Sequence, residues 1–383
     1  MANMLIARAL QPILRRRLQE VGKVIVLYGA RQVGKTTLMR EVLREVGGDA
    51  LSINADEGKY VEALSSRDLR TLQNLIGRHD LLFIDEAQRV PNIGVGLKLL
   101  LERLPSLRIA VTGSSTLDLA SAVREPLTGR TWTYTLHPIA FLELAETWTP
   151  FALRDSVEER LTYGAYPALF AMMGKEDKEK YLEEMSTAYL YRDILDLSGI
   201  RHPSGIRRLL QLLAFQIGSQ VSLTELGAQL GISKDTVAHY IDLLEAAFVV
   251  FRLPGYSRNL RKEVTKMDKI YFYDLGVRNA IIGNFNDLKH RNDTGQLWEN
   301  FLMVERMKRH SYTHISGNRY FWRTYTGAEL DLVEERGGKL FGYEFAWSAR
   351  RRTRKPPRTW LQTYPEASYE IITQENFLDF VCK

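Results

Sequence analysis

Residues Gly29-Ala30-Arg31-Gln32-Val33-Gly34-Lys35-Thr36 follow the spacing G-x-x-x-x-G-K-[ST]. Glycine lets backbone N–H groups close on phosphate oxygens, the amine of Lys35 reaches the β- and γ-phosphates, and the Thr36 hydroxyl is a hard oxygen suited to Mg²⁺. Thr37 stands as a further contact near the α-phosphate. Downstream, the apolar run Leu81-Leu82-Phe83-Ile84 ends in Asp85-Glu86, delivering two carboxylates to one point. Asp85 is expected to orient Mg²⁺ through its water shell, and Glu86 to polarise a water in line with the γ-phosphate. Val111-Thr112-Gly113-Ser114-Ser115 adds hydroxyls, of which Thr112 or Ser114 could stand beside the γ-phosphate. Phosphoryl transfer also calls for a cation that neutralises transition-state charge, often from a neighbouring subunit, and Arg130 is preferred to Arg124 for that role.

These groups need a scaffold that brings strand ends together. Lys23–Tyr28, Leu51–Asn54, Leu81–Ile84 and Arg108–Thr112 read as short buried strands, and helical spacing fills the intervals between them. Alternation of strand and helix predicts a parallel α/β sheet. Beyond Leu136-His137-Pro138 the pattern turns helical to about residue 218, punctuated by Gly164, Pro167, Gly199 and Pro203.

A helix–turn–helix follows. Ser222 is placed to cap Leu223–Leu230, Gly231 supplies the turn, and Ser233 caps a second helix with Val237, Tyr240, Ile241 and Leu244 inward. Its outward residues Lys234, Asp235, Thr236, His239 and Asp242 carry little positive charge, so sequence-specific base reading is expected to be weak. Phe248–Leu253 and Lys269–Tyr273 read as a hairpin whose tip carries Arg258, Arg261, Lys262 and Lys266, a basic wing placed to meet DNA phosphates.

The chain of 383 residues, 45% hydrophobic and 26% charged, is long enough for several domains and ordinary enough in composition to fold. Net charge is +6, unevenly spread: residues 151–200 hold 6 basic and 10 acidic side chains, whereas Arg350, Arg351, Arg352, Arg354, Lys355 and Arg358 form a run without an acid. No apolar stretch approaches the roughly 20 residues of a membrane span, and Cys382 is the only cysteine, so a cytoplasmic protein without internal disulfides is expected. The scattered histidines suggest no zinc site. Tyr320-Phe321-Trp322-Arg323-Thr324-Tyr325 is read as strand packing rather than as a base-stacking platform.

Tyr28–Thr37, Ile84-Asp85-Glu86-Ala87-Gln88, Thr112–Ser115, Gly129-Arg130 and Leu136-His137-Pro138 together resemble the prokaryotic AAA-type (AAA+) ATPases that carry a C-terminal domain of unknown function. The resemblance continues through Tyr163-Gly164-Ala165-Tyr166-Pro167, Lys269–Gly276, Trp298-Glu299-Asn300 and Gly327–Asp331, and so covers nearly the whole chain. It implies ATP binding and hydrolysis in ring-like homo-oligomers, a hexamer favoured, with Arg130 acting across the interface. Glu299, Asp331 and Glu344 are further similar to the metal-collecting acids of restriction-endonuclease-like folds. That family's strand reads Glu-x-Lys, whereas here Ala346 replaces the lysine, which predicts an inactive relative in which Lys339 or Arg350 is the nearest substitute.

The expected fold is α/β: a P-loop AAA+-type parallel sheet (1–140), a helical lid (141–218), a winged helix (219–290) and a C-terminal α+β restriction-endonuclease-like domain (291–383). The expected function is a Mg²⁺-dependent oligomeric ATPase remodelling DNA by translocation or branch migration. A nucleotide-dependent switch read by a protein partner and a metal-dependent nuclease are the alternatives.

Overall fold

A computed structural model describes residues 6–114, 126–196, 203–257, 267–348 and 355–383. They form two compact units: one runs to Pro138 and includes Ala246–Phe248, and the other comprises Ile139–Glu245 and Val249–Lys383.

The first unit holds α1 (Gln11–Leu18), β1 (Val24–Tyr28), α2 (Lys35–Val46), β2 (Ala50–Asn54), α3 (Gly58–Ser65), α4 (Leu69–Ile76), β3 (Leu81–Asp85), α5 (Ile93–Arg103), β4 (Arg108–Gly113) and β5 (Thr131–Thr135). Its sheet has the order β2-β3-β4-β1-β5, with every pair parallel. All five residues of β1 are buried, as are the first four of β3, because strands covered on both faces read as continuous apolar runs. β5 has no apolar run to mark it in the sequence. Thr131-Trp132-Thr133-Tyr134-Thr135 is a half-exposed edge strand against β1, and Trp132 is flanked by Arg17 and Lys23, each within 3.8 Å of its ring centre. The order sets β4 between β1 and β3, so the carboxyl ends of those three strands lie side by side.

The second unit opens with α6 (Phe141–Leu144), α7 (Pro150–Asp155), α8 (Val157–Tyr163), α9 (Lys175–Asp196) and α10 (Pro203–Phe215). The helix–turn–helix is then formed by α11 (Leu223–Leu230) and α12 (Lys234–Ala246). The Ser222 side chain accepts from the Glu225 N–H, Gly231 takes a left-handed conformation, and the Ser233 hydroxyl accepts from the Thr236 N–H. Val237, Tyr240, Ile241 and Leu244 are buried as the spacing required. β6 (Val250–Leu253) and β7 (Lys269–Phe272) pair antiparallel. The four basic residues assigned to the tip between them, Arg258, Arg261, Lys262 and Lys266, lie outside the described residues, as do Ser115, Arg124 and Arg350–Arg354.

After α13 (Leu275–Ile281), α14 (Thr294–Thr313) accompanies a mixed sheet of order β11-β10-β9-β8, from β8 (Asn318–Arg323), β9 (Glu329–Arg336), β10 (Lys339–Phe345) and β11 (Ser368–Ile372). β10 pairs antiparallel with β9 and parallel with β11. Two short helices, α15 (Arg358–Thr363) and α16 (Phe377–Cys382), complete the unit. Trp322 is buried with its ring 5.2 Å from Trp360, so this part of the aromatic stretch is core. Among the described residues no helix is long and apolar enough to cross a membrane.

The motifs around residues 163–167 and 274–276 are structural joints. Asp274 caps α13 through the Val277 N–H and also accepts from the Ala165 N–H at 2.7 Å. A Cβ on Gly276 would come within 2.0 Å of the Tyr163 carbonyl oxygen, so only glycine permits that approach.

Candidate functional site

The turn after β1 carries the glycine-bounded motif. Gly29 has φ +153°, and a Cβ there would lie 2.2 Å from the Leu136 carbonyl oxygen. Gly34 is left-handed and stands at the N-cap of α2, whose first residue is Lys35. Ala30 and Val33 are buried, Arg31 is half-buried, and Gln32 and Thr37 are exposed. The Lys35 ammonium is buried and donates to the carbonyl oxygens of Gly29 at 2.8 Å and Ala30 at 2.9 Å. A helix start with an amine folded onto a loop of backbone groups is suited to a polyphosphate. The loop has a brace that the motif does not announce. Buried Arg8 donates to the Val33 carbonyl at 2.7 Å and to the His137 carbonyl at 2.6 Å.

Across from the loop, β3 and β4 bring the polar residues together. The Thr36 hydroxyl donates to Asp85 Oδ2 at 2.7 Å, and the Thr112 hydroxyl donates to Asp85 Oδ1. Thr112 Oγ1 also accepts from the Glu86 N–H at 3.3 Å. Glu86 has φ +55°, an uncommon conformation for a side chain of this size and one that recurs at functional sites. Its carboxylate accepts from the Gln88 side-chain amide and from the Ser114 hydroxyl at 3.3 Å, and the same Gln88 amide donates to Ser114 Oγ at 3.0 Å. The Gln88 carbonyl oxygen is buried without a hydrogen-bond partner among the described residues. The hydroxyl alternatives thus separate: Thr112 serves Asp85, and Ser114 serves Glu86. Arg130 does not join this group. It is 47% exposed and pairs with Glu102 at 3.4 Å.

Mg²⁺ fits the observed donors. Thr36 and Asp85 present a hydroxyl and a carboxylate to each other, hard oxygens of the kind that ion takes beside phosphates.

The acids of the second unit are arranged otherwise. Glu299 Oε1 accepts from the Tyr271 hydroxyl at 2.6 Å and from Lys269 Nζ at 3.1 Å, and Lys269 lies 3.9 Å from Asp331. Asp331 also accepts from the Phe345 N–H at 2.7 Å. Burial and the neighbouring Glu299 charge push the Asp331 carboxyl up to about 8. Burial alone would lower the Lys269 ammonium, but the two carboxylates beside it more than offset that and hold it above the ordinary lysine value. Glu344 takes the Tyr369 hydroxyl at 2.8 Å. Among the described residues no group of three His, Cys, Asp or Glu side chains is placed to hold a metal. The ammonium that reaches these acids comes from Lys269 on β7, whereas Lys339 is exposed at the start of β10 and Arg350 lies outside the described residues.

Comparison with known proteins follows the same division. Residues 21–145 match an AAA domain, and residues 154–288 and 294–379 match two domains of unknown function, DUF8612 and DUF4143. The uncharacterized protein Rv2008c of Mycobacterium tuberculosis is 32% identical over 341 residues, covering 86% of this chain and 71% of that one. A segment of 67 residues, 18% of this chain and 19% of the other, is 39% identical to the Holliday junction branch migration complex subunit RuvB of Nitratidesulfovibrio vulgaris. Among solved structures, the Walker-type ATPase PABY2304 of Pyrococcus abyssi overlaps 73% of this chain and 97% of its own with 16% identity and a TM-score of 0.48. The chain belongs to the same family as Rv2008c, and it is built on an AAA domain followed by two domains of unknown function.

Proposed function

We propose that this protein is a Mg²⁺-dependent ATPase that acts as an oligomer and couples hydrolysis to binding and remodelling of DNA. The observation that carries the ATPase reading is the continuous polar chain Thr36–Asp85–Thr112 and Glu86–Gln88–Ser114 at the carboxyl edge of the sheet, facing the glycine loop. Lys35 exchanges its carbonyl partners for the β- and γ-phosphate oxygens, and the loop N–H groups and Thr37 complete the cradle. Thr36 and Asp85 would hold Mg²⁺, which when bound neutralises charge on the phosphates. Glu86 accepts the proton of the attacking water, its carboxylate aimed by Gln88 and Ser114. Arg130 serves as the transition-state cation for an adjacent protomer. Its exposed pair with Glu102 is worth about 0–1 kcal/mol and is readily exchanged.

The DNA part rests on less. Two capped helices followed by an antiparallel pair suit a winged helix with Arg258, Arg261, Lys262 and Lys266 at its tip, and the matched RuvB segment belongs to a branch migration subunit. A helical lid before that module and a nuclease-like fold without nuclease chemistry after it complete the reading. Turnover should rise on adding forked or duplex DNA. Affinity for DNA should fall with salt by a log–log slope of about −4 to −5 if four to six cations meet phosphates. Turnover indifferent to every DNA and RNA tested, in a preparation whose activity vanishes on Lys35→Ala, would overturn the coupling and leave the ATPase standing.

A further inference from the structure

In the second unit, Glu334 on β9 is fully buried and ringed by cations. Arg306 grips it with Nε at 2.8 Å and Nη2 at 3.0 Å, Arg336 Nε lies at 3.0 Å, and His310 Nε2 at 3.2 Å. Burial pushes His310 down to about 4, so it adds no charge near neutral pH. Two more arginines lie within electrostatic reach of the same carboxylate, Arg309 from α14 and Arg319 from β8. Arg319 is directly opposite Glu334 on the antiparallel ladder. Arg319 is half-buried, and its guanidinium makes no hydrogen bond or ion pair among the described residues, although burial lowers its pKa. Arg309 donates to the Phe380 carbonyl at 3.1 Å, but its Nε is buried without a partner.

Four guanidiniums thus surround one carboxylate, and two of them have no acid of their own. Partly desolvated guanidiniums without an acid of their own leave a local surplus of positive charge, which an external anion can offset. The planar fork of arginine matches the oxygens of a phosphoryl group, to which it can donate two parallel bonds. We propose that Arg319, with Arg309 and Arg336 around Glu334, forms a phosphate-binding seat on the C-terminal sheet. Its ligand is a phosphoryl group, from either a nucleic-acid backbone or free phosphate. The inference goes beyond the nucleotide site, since none of these residues belongs to the glycine loop or its acids.

The test uses the full chain carrying Lys35→Ala, so that the glycine loop does not contribute. In the first arm, thermal unfolding is followed in inorganic phosphate and in chloride at matched ionic strength. Phosphate should raise Tm saturably, and adding Arg319→Gln should abolish the rise. In chloride alone, Arg319→Gln should leave Tm unchanged or higher, because it removes an uncompensated charge, a result that also shows the variant to be folded. In the second arm, anisotropy of a labelled 20-mer duplex is titrated over a salt series, and Arg319→Gln should weaken binding about tenfold and reduce the salt slope by about 1. A response in the first arm alone identifies free phosphate as the ligand, and a response in the second alone identifies the phosphodiester backbone. Arg309→Gln should give a smaller loss in the same arm. Equal phosphate shifts and equal duplex affinities with and without Arg319→Gln overturn the proposal, as does a loss of Tm in chloride on Arg319→Gln.

Discussion

At the carboxyl edge of the parallel sheet, Lys35 donates to backbone carbonyls while Asp85 and Glu86 are held by hydroxyls and an amide. In the second unit, Lys269 donates directly to Glu299 and lies close to Asp331. Both regions combine clustered acids with a buried lysine. In the first, the amine and the acids have separate partners, so a ligand carrying both phosphate and metal can engage each group by displacing neutral ones. In the second, the ammonium already neutralises the acids, and a divalent cation entering would have to expel it. The difference teaches that acid spacing does not define a metal site until the position of the nearest ammonium is known.

The sharpest way to break this comparison is Lys269→Met. It leaves two acids in a buried site without their cation, and stability should fall by about 3–5 kcal/mol in urea titrations while ATP turnover per folded molecule is unchanged. A variant as stable as the parent would show that Lys269 is not the counter-charge. Next in size, Glu86→Gln should keep nucleotide affinity by calorimetry and lower hydrolysis about 10²-fold or more. Gln88→Ala should reduce kcat about tenfold with little change in KM, since it releases the Glu86 carboxylate without touching the phosphate loop. A rise in KM instead would place Gln88 in substrate binding. A further effect concerns pH. Folded Asp331 retains its proton up to about 8, whereas the unfolded chain releases it near the ordinary aspartate value of 3.8. Its contribution to stability is therefore full at low pH and is lost as pH rises through about 8. Asp331→Asn should flatten urea midpoints between pH 4 and 8.

Much of the first unit was legible because its chemistry is local. Strand β1, the glycine turn and α2 follow one another without interruption, and Asp85-Glu86 directly ends an apolar run. β5 escaped because a half-exposed edge strand has no apolar run to mark it, although its alternating Thr, Trp and Tyr residues carried the period. Arg8 and Lys269 were illegible for a different reason. Arg8 meets residues 25 and 129 positions away, and Lys269 meets a carboxylate 30 positions away, distances at which no spacing rule operates. Gln88 belonged to a noticed motif, but its use depends on Ser114, 26 residues further on.

The two hydrogen bonds from Arg8 give the segment ahead of α1 a value that its plain sequence hides. A shortened version beginning at Gln11 would retain every recognisable signature and still lose the strut between the nucleotide cradle and the turn at His137. Anyone trimming this protein for crystallisation, or fusing a tag close to that arginine, would be removing a support of the glycine loop that lies outside the loop itself.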